Sequence, residues 1–284
     1  MGDVDLLVRP ADAEPAARMI EGLGYVLTSV TDRETIFEPR GKSAPQGFGE
    51  HVDNPLNIEL HTAVAEPLPA RKVDVTAALR PAQARLGVNA YPTLGALLLH
   101  LLLHAAGNMC AHALRQIQLH DIARLAGRLR SADWDAFLAR PAGEDSLWWA
   151  YPPLALTARY YATAAIPPDA LRVLRARCPR ALRFASDRES LTDVSWSNLR
   201  IQAFPGIDWS RTPGDALRYI RSRIVPDRGA LANIEGTLER QPRLKRVPWY
   251  GMSHGRRIVR WLLSRPPRVQ TILSVRAALQ DRRA

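Results

Sequence analysis

A chain of 284 residues has room for two domains, and with 46% of them apolar it can bury a core, which excludes a disordered chain. Its formal net charge of +11 is uneven: residues 1–214 hold 23 Lys plus Arg against 23 Asp plus Glu, whereas residues 215–284 hold 16 against 5. The whole excess thus belongs to the tail, and it is nearly all arginine, which GC-rich coding alone can also produce.

The N-terminus shows neither the basic start nor the apolar stretch of a signal peptide, and the longest apolar run, residues 94–106, is too short to span a bilayer. A cytoplasmic protein without a transmembrane segment is expected. Cys110 and Cys178, the only two cysteines, lie far apart and outside any Cys-x-x-Cys pattern, so neither a disulfide framework nor a thiolate zinc site is expected of them.

In chain order, residues 3–8 alternate acid and apolar and then run apolar, which predicts a short strand closed by Arg9-Pro10. A helix follows, with Asp12 as N-cap, Ala16, Ala17, Met19, Ile20 and Leu23 as its apolar face, and Gly24 as its stop. Residues 25–30 and 35–38 read as a hairpin across the polar Thr31-Asp32-Arg33-Glu34 turn. A Gly, Ser and Pro-rich loop leads to a further strand at 56–61, and Pro67-Leu68-Pro69 marks a boundary. Beyond residue 75 the period becomes helical: a helix opened by Pro92 or Thr93 runs through Ala106, another covers 111–129, and segments 134–138, 147–163 and 168–177 continue the pattern. The expected class is α+β: a small mixed-sheet domain (1–75), a mostly helical domain (76–214) and a basic helical region (215–284).

Successive side chains of a strand point to opposite faces, so Asp3 and Asp5 share a face, roughly 6 to 7 Å apart at Cα, while Val4 and Leu6 pack behind them. Mg²⁺ takes one or two protein carboxylates and completes its shell with water and phosphate oxygens, so Asp-x-Asp is the minimal protein half of a metal–nucleotide site. A third carboxylate is Glu59, which faces away from Ile58 and Leu60 in its strand and meets the aspartates if the two strands pair. Asp-x-Asp alone is a weak signal.

The run Met1-Gly2-Asp3-Val4-Asp5-Leu6-Leu7-Val8, a helix ending Leu23-Gly24-Tyr25, and Ile58-Glu59-Leu60-His61 together resemble the uncharacterised nucleotidyltransferase family of bacteria, within the polymerase-β-like superfamily. Leu99-His100-Leu101, His104-Ala105-Ala106, Asp121-Ile122-Ala123-Arg124-Leu125 and Asp133-Trp134-Asp135 are similar to the family's helical segment, so the resemblance covers about residues 1–140. It implies a nucleotidyltransferase-type domain and transfer of a nucleoside monophosphate from a nucleoside triphosphate to a hydroxyl of a small molecule, saccharide or peptide. It makes Asp3, Asp5 and Glu59 the ligands of Mg²⁺ or Mn²⁺, with Gly2, Asp3 and Asp5 on the nucleotide side. Glu59 would also help deprotonate the acceptor. From its place after Glu59 alone, His61 either points to the hydrophobic side of its strand or is a candidate proton shuttle. The superfamily's Gly-Ser or Gly-Gly turn, which holds the triphosphate, normally lies about ten residues before the first aspartate, where this sequence has none. The expectation is a late-assigned start or a truncated domain that binds Mg-nucleotide weakly.

Competing patterns are less specific. His100 and His104 share a helical face at i, i+4, but without the glutamate base of a zinc protease and among leucines they read as core histidines. His120-Asp121 resembles the dipeptide of HD phosphohydrolases, with His100 or His104 and Asp193 as partners. In the tail, Arg256-Arg257-Ile258-Val259-Arg260-Trp261-Leu262-Leu263 is a basic amphipathic stretch suited to an anionic membrane, to nucleic acid or to ordinary packing. The alternative function is therefore a catalytically inactive nucleotidyltransferase-like protein that docks on an anionic partner, such as a membrane periphery, through residues 215–284.

Overall fold

The structure is a computed structural model, described for residues 3–31, 34–41, 56–83, 87, 89–139, 146–163, 165–198, 200–226, 252–264 and 267–268. Its class is α+β: a mixed four-stranded sheet is followed by helices. Residues up to Val64 belong to one compact unit, and Ala65–Arg268 to a second.

In the first unit β1 (Asp3–Leu7) is followed by α1 (Ala13–Gly22), β2 (Tyr25–Val30), β3 (Glu34–Pro39) and β4 (Asn57–His61). Pro10 closes β1 because it has no N–H to give a ladder, and it opens the 3₁₀ turn that feeds α1. Gly24, at φ +91°, makes the left-handed turn from helix to strand. The β2–β3 hairpin is pinned at its tip by Thr31, whose N–H donates to the Glu34 carbonyl while the Glu34 N–H donates to the Thr31 hydroxyl. Strand order is β1-β4-β3-β2, with β1 parallel to β4 and the other pairs antiparallel.

Ile20 of α1, Phe37 of β3 and Leu60 of β4 form the core of this unit, with Leu6, Val8, Ala16, Ala17, Tyr25 and Ile58 packed around them. Met19 and Leu23, expected on the buried face of α1, are instead 72% and 75% exposed. The buried stripe is narrow because Ala16, Ala17 and Ile20 alone point at the sheet; Met19 lies to one side and Leu23 beyond the last turn.

The second unit opens with a hairpin, β5 (Ala65–Pro67) and β6 (Lys72–Asp74), where the prolines had suggested only a boundary. Strands of three residues are too short to show a period. After the one-turn α2 (Thr76–Leu79) comes α3 (Leu94–Cys110), capped by the Thr93 hydroxyl, which accepts from the Ala96 N–H. Nine of its residues are buried, so α3 is the central helix, against which β5, α2, α4 (Gln116–Ala126), α5 (Ser131–Leu138) and α6 (Tyr151–Tyr160) pack. The helices expected at 111–129 and 147–163 are both shorter. His112 and Leu147, each at φ +54°, break the helical path, and Leu114 bridges instead to Ser195. Next come α7 (Pro168–Arg177), α8 (Arg180–Ser186), α9 (Pro213–Ile224) and α10 (His254–Leu263). No helix among the described residues is long and apolar enough to cross a membrane.

Asp215, 1% exposed in the first turn of α9, ties this helix to the β5–β6 hairpin, since the Arg71 Nε lies 3.2 Å from its carboxylate and Arg218 pairs with its other oxygen. Burial works against ionisation here. Hydrogen bonds from Thr212 and Arg71 and the charges of both arginines overcome it and hold the carboxyl below its ordinary range.

Gly206 is fixed by two constraints at once. Its φ is +77°, and a Cβ there would stand 2.3 Å from the Cys110 Sγ and 2.7 Å from the Cys110 carbonyl oxygen. Gly206→Ala is therefore expected to cost about 2 to 4 kcal/mol in urea unfolding, combining backbone strain with overpacking. A loss below about 0.5 kcal/mol, the size of an ordinary surface change, would contradict this close approach.

Candidate metal centre

The register of β1 on β4 decides which side chains meet. Asp3 pairs with Asn57, Asp5 with Glu59 and Leu7 with His61. In a parallel pair, residues in register point to the same side. Asp3, Asp5, Asn57, Glu59 and His61 therefore share the face away from α1, while Val4, Leu6, Ile58 and Leu60 turn to the core. β3 adds to that face from the other side of β4, since Glu34 pairs with His61 and Ile36 with Glu59.

Asp5, Glu59 and His61 bring one ligand atom each within 4.8 Å of one another, the one such group of three among the described residues. His61 Nε2 lies 3.0 Å from Asp5 Oδ1 and 3.8 Å from Glu59 Oε2. Asp5 is the accessible member, with 64% of its side chain exposed against 22% for Glu59 and 19% for His61. Asp3 stands outside this trio but acts on it electrostatically. Gly2 lies outside the described residues.

Negative charge is concentrated here beyond what one imidazolium can neutralise. Partial burial, then the carboxylates of Glu34, Asp5 and Asp3, push Glu59 up to about 7. His61 is raised as well: its hydrogen bond to Asp5 favours the charged ring, burial opposes it, and Asp5, Glu34 and Glu59 add attraction. The buried Oδ1 of Asn57 has no hydrogen-bond partner. Two converging carboxylates and a third further along β1 make an oxygen donor set that fits a divalent cation such as Mg²⁺ or Mn²⁺, with the His61 imidazole beside it.

Glu34 and Asn57 join this face beyond the residues expected from the sequence. Glu34 reads as a turn residue, yet the hairpin is tight enough to make it the first residue of β3 and to set it opposite His61. Asn57 carries the same period-2 signal as Glu59, two residues away. The rival histidine patterns do not converge. His100 Nδ1 is 2.6 Å from the Tyr91 hydroxyl, and His104 lies beside Glu66 and Asn108. His120 stacks at a tilt on Tyr161, while Asp193 accepts from the backbone and hydroxyl of Ser190.

A small mixed sheet with one helix-covered face and acids gathered on the other, followed by helices, defines a nucleotidyltransferase type of domain. Residues 1–161, more than half of the chain, match the family of uncharacterised nucleotidyltransferases, and the chain belongs to that family. Neither the curated proteins nor the solved structures give a match.

The raised groups have a consequence for stability. A carboxyl whose folded pKa exceeds its ordinary value of 4.5 binds more protons folded than unfolded, so stability falls as pH rises from 4.5 to about 7. His61, also raised, contributes stability that is present at low pH and is lost as pH rises through its folded value. In chelator, the melting temperature should therefore fall between pH 5 and 8, and Glu59→Gln should flatten that fall and melt higher than the parent at pH 8. An unchanged profile in Glu59→Gln would show that Glu59 is not electrostatically crowded.

Proposed function

We propose that this chain is a metal-dependent nucleotidyltransferase that moves a nucleoside monophosphate from a nucleoside triphosphate to a hydroxyl of a small-molecule, saccharide or peptide acceptor. The observation that carries the reading is the convergence of Asp5, Glu59 and His61 on one sheet face, with Asp3 in the next register position, in a member of a nucleotidyltransferase family. The ions would be held by Asp3, Asp5 and Glu59, and when bound they would neutralise the charge that develops on the phosphates. The acidic sheet face repels a bare triphosphate, so the nucleotide is expected to bind as its metal complex.

In the reaction the acceptor oxygen attacks the α-phosphorus, the bond from that phosphorus to the bridging oxygen of the β-phosphate breaks, and pyrophosphate leaves. The proton of the acceptor hydroxyl needs a base. Glu59 is suited to take it, and His61 Nε2, 3.8 Å from Glu59 Oε2, offers a relay towards the more exposed Asp5. The rigid strands hold these groups in place, which is how positioning lowers such barriers. A cytoplasmic setting is part of the same proposal.

Calorimetric titration of Mg²⁺ and Mn²⁺ with nucleoside triphosphates, alongside release of pyrophosphate from α-labelled triphosphates, tests the reading. Asp5→Asn and Glu59→Gln keep shape and lose charge, so each should weaken metal-nucleotide binding about tenfold or more, on the scale of a lost metal ligand. Asp3→Asn should do the same. His61→Asn should spare metal binding more than turnover and should shift the pH–rate profile. Binding and transfer by Asp5→Asn and Glu59→Gln equal to the parent would remove the assignment.

A further inference from the structure

The second unit carries a basic, partly apolar surface that the catalytic reading leaves unused. In α10 the apolar residues Ile258, Trp261 and Leu262 recur at i, i+3, i+4, with Val259 and Leu263 beside them, while Arg256, Arg257 and Arg260 occupy the opposite arc. Ordinary packing would hide that apolar stripe. Ile258 and Trp261 are half-buried, but Val259, Leu262 and Leu263 are 54%, 66% and 82% exposed. The C-terminal end of α9 joins the same surface. His254 lies 3.1 Å from the Ile224 carbonyl oxygen, the Arg223 guanidinium stands 5.2 Å from the Trp261 ring centre, and Val225 is 69% exposed.

The same two helices are rich in arginine. Between them α9 and α10 supply Arg218, Arg221, Arg223, Arg256, Arg257 and Arg260, and their single acid, Asp215, is buried and already paired with Arg71 and Arg218. Duplex nucleic acid would use the arginines and leave the leucines and valines in water. A bilayer interface uses both, because apolar side chains enter the headgroup–acyl boundary while arginines meet anionic headgroups. We propose that the α9–α10 surface is a peripheral docking site for an anionic membrane, with Val225, Val259, Leu262 and Leu263 inserting among lipids and the arginines setting the preference for negative charge. The ten residues of α10 are far too few to span the bilayer, so the docking is reversible and salt-sensitive.

The test is sedimentation of the full chain with phosphatidylcholine vesicles made with and without phosphatidylglycerol, at low and high salt. The expected result is binding to the anionic vesicles, release by salt, and about tenfold or weaker binding to phosphatidylcholine alone. Leu262→Glu with Leu263→Glu should reduce vesicle binding about tenfold or more by opposing insertion. Arg256→Gln with Arg260→Gln should reduce it by about fivefold per arginine. All four positions are exposed, and circular dichroism of each variant verifies that it folds. Three results would each overturn the proposal. One is failure of the parent to bind anionic vesicles. Another is vesicle binding indifferent to the leucine changes while duplex DNA binds more tightly, which would assign the surface to nucleic acid. The last is loss of a parent dimer in the leucine variant without vesicle binding, which would make it an interface between copies of this chain.

Discussion

Everything at the candidate metal centre depends on the register in which β1 lies against β4. Because a strand alternates its faces with a period of two, the pairing of Asp5 with Glu59 sends three carboxylates and one imidazole to one side of the sheet and Leu6, Ile58 and Leu60 to the other. A slip of one residue would put Asp5 against the core and Leu6 in water, so burying Phe37, Leu60 and Ile20 and gathering the acids are one structural event. The apolar side provides the driving force. The acidic side adds repulsion, visible in the raised Glu59, which only the folded core can offset.

That division of labour explains why the site sits on strands rather than loops. Five polar side chains of the candidate site come from two adjacent strands, and the parallel ladder fixes their spacing without help from their own mutual contacts. His61 is the single basic side chain in the group and lies close to both Asp5 and Glu59. Its hydrogen bond to Asp5 and its attraction to Asp5, Glu34 and Glu59 offset part of the crowding among the acids.

Asp3, Asp5 and Glu59 could be singled out in the sequence because each acid is flanked by apolar residues at the strand period. The expected α+β class, the hairpin and the position of α7 were legible for similar local reasons. What stayed hidden depended on tertiary pairing. Glu34 looks like a turn residue until β3 is laid antiparallel on β4, and the β5–β6 hairpin has strands too short to alternate. Likewise the late starts of α4 and α6 follow His112 and Leu147 in left-handed conformations, which helical periodicity does not reveal; His112 is held by its contact with the Asp193 carbonyl. The family match adds the nucleotidyltransferase class, which strand periodicity could not supply.

The tie between Arg71 and Asp215 spans 144 positions of the chain. During synthesis the β5–β6 hairpin and α3 leave the ribosome long before α9 exists, so the pairing of Arg71 with Asp215 cannot form until α9 is translated. The helical unit consequently closes late, with α9 as one link and Arg268, which donates to the His112 carbonyl, as a later one. Ribosome pausing upstream of α9 would prolong exposure of the surfaces against which Asp215 and Tyr219 are buried, and with it the need for chaperone protection.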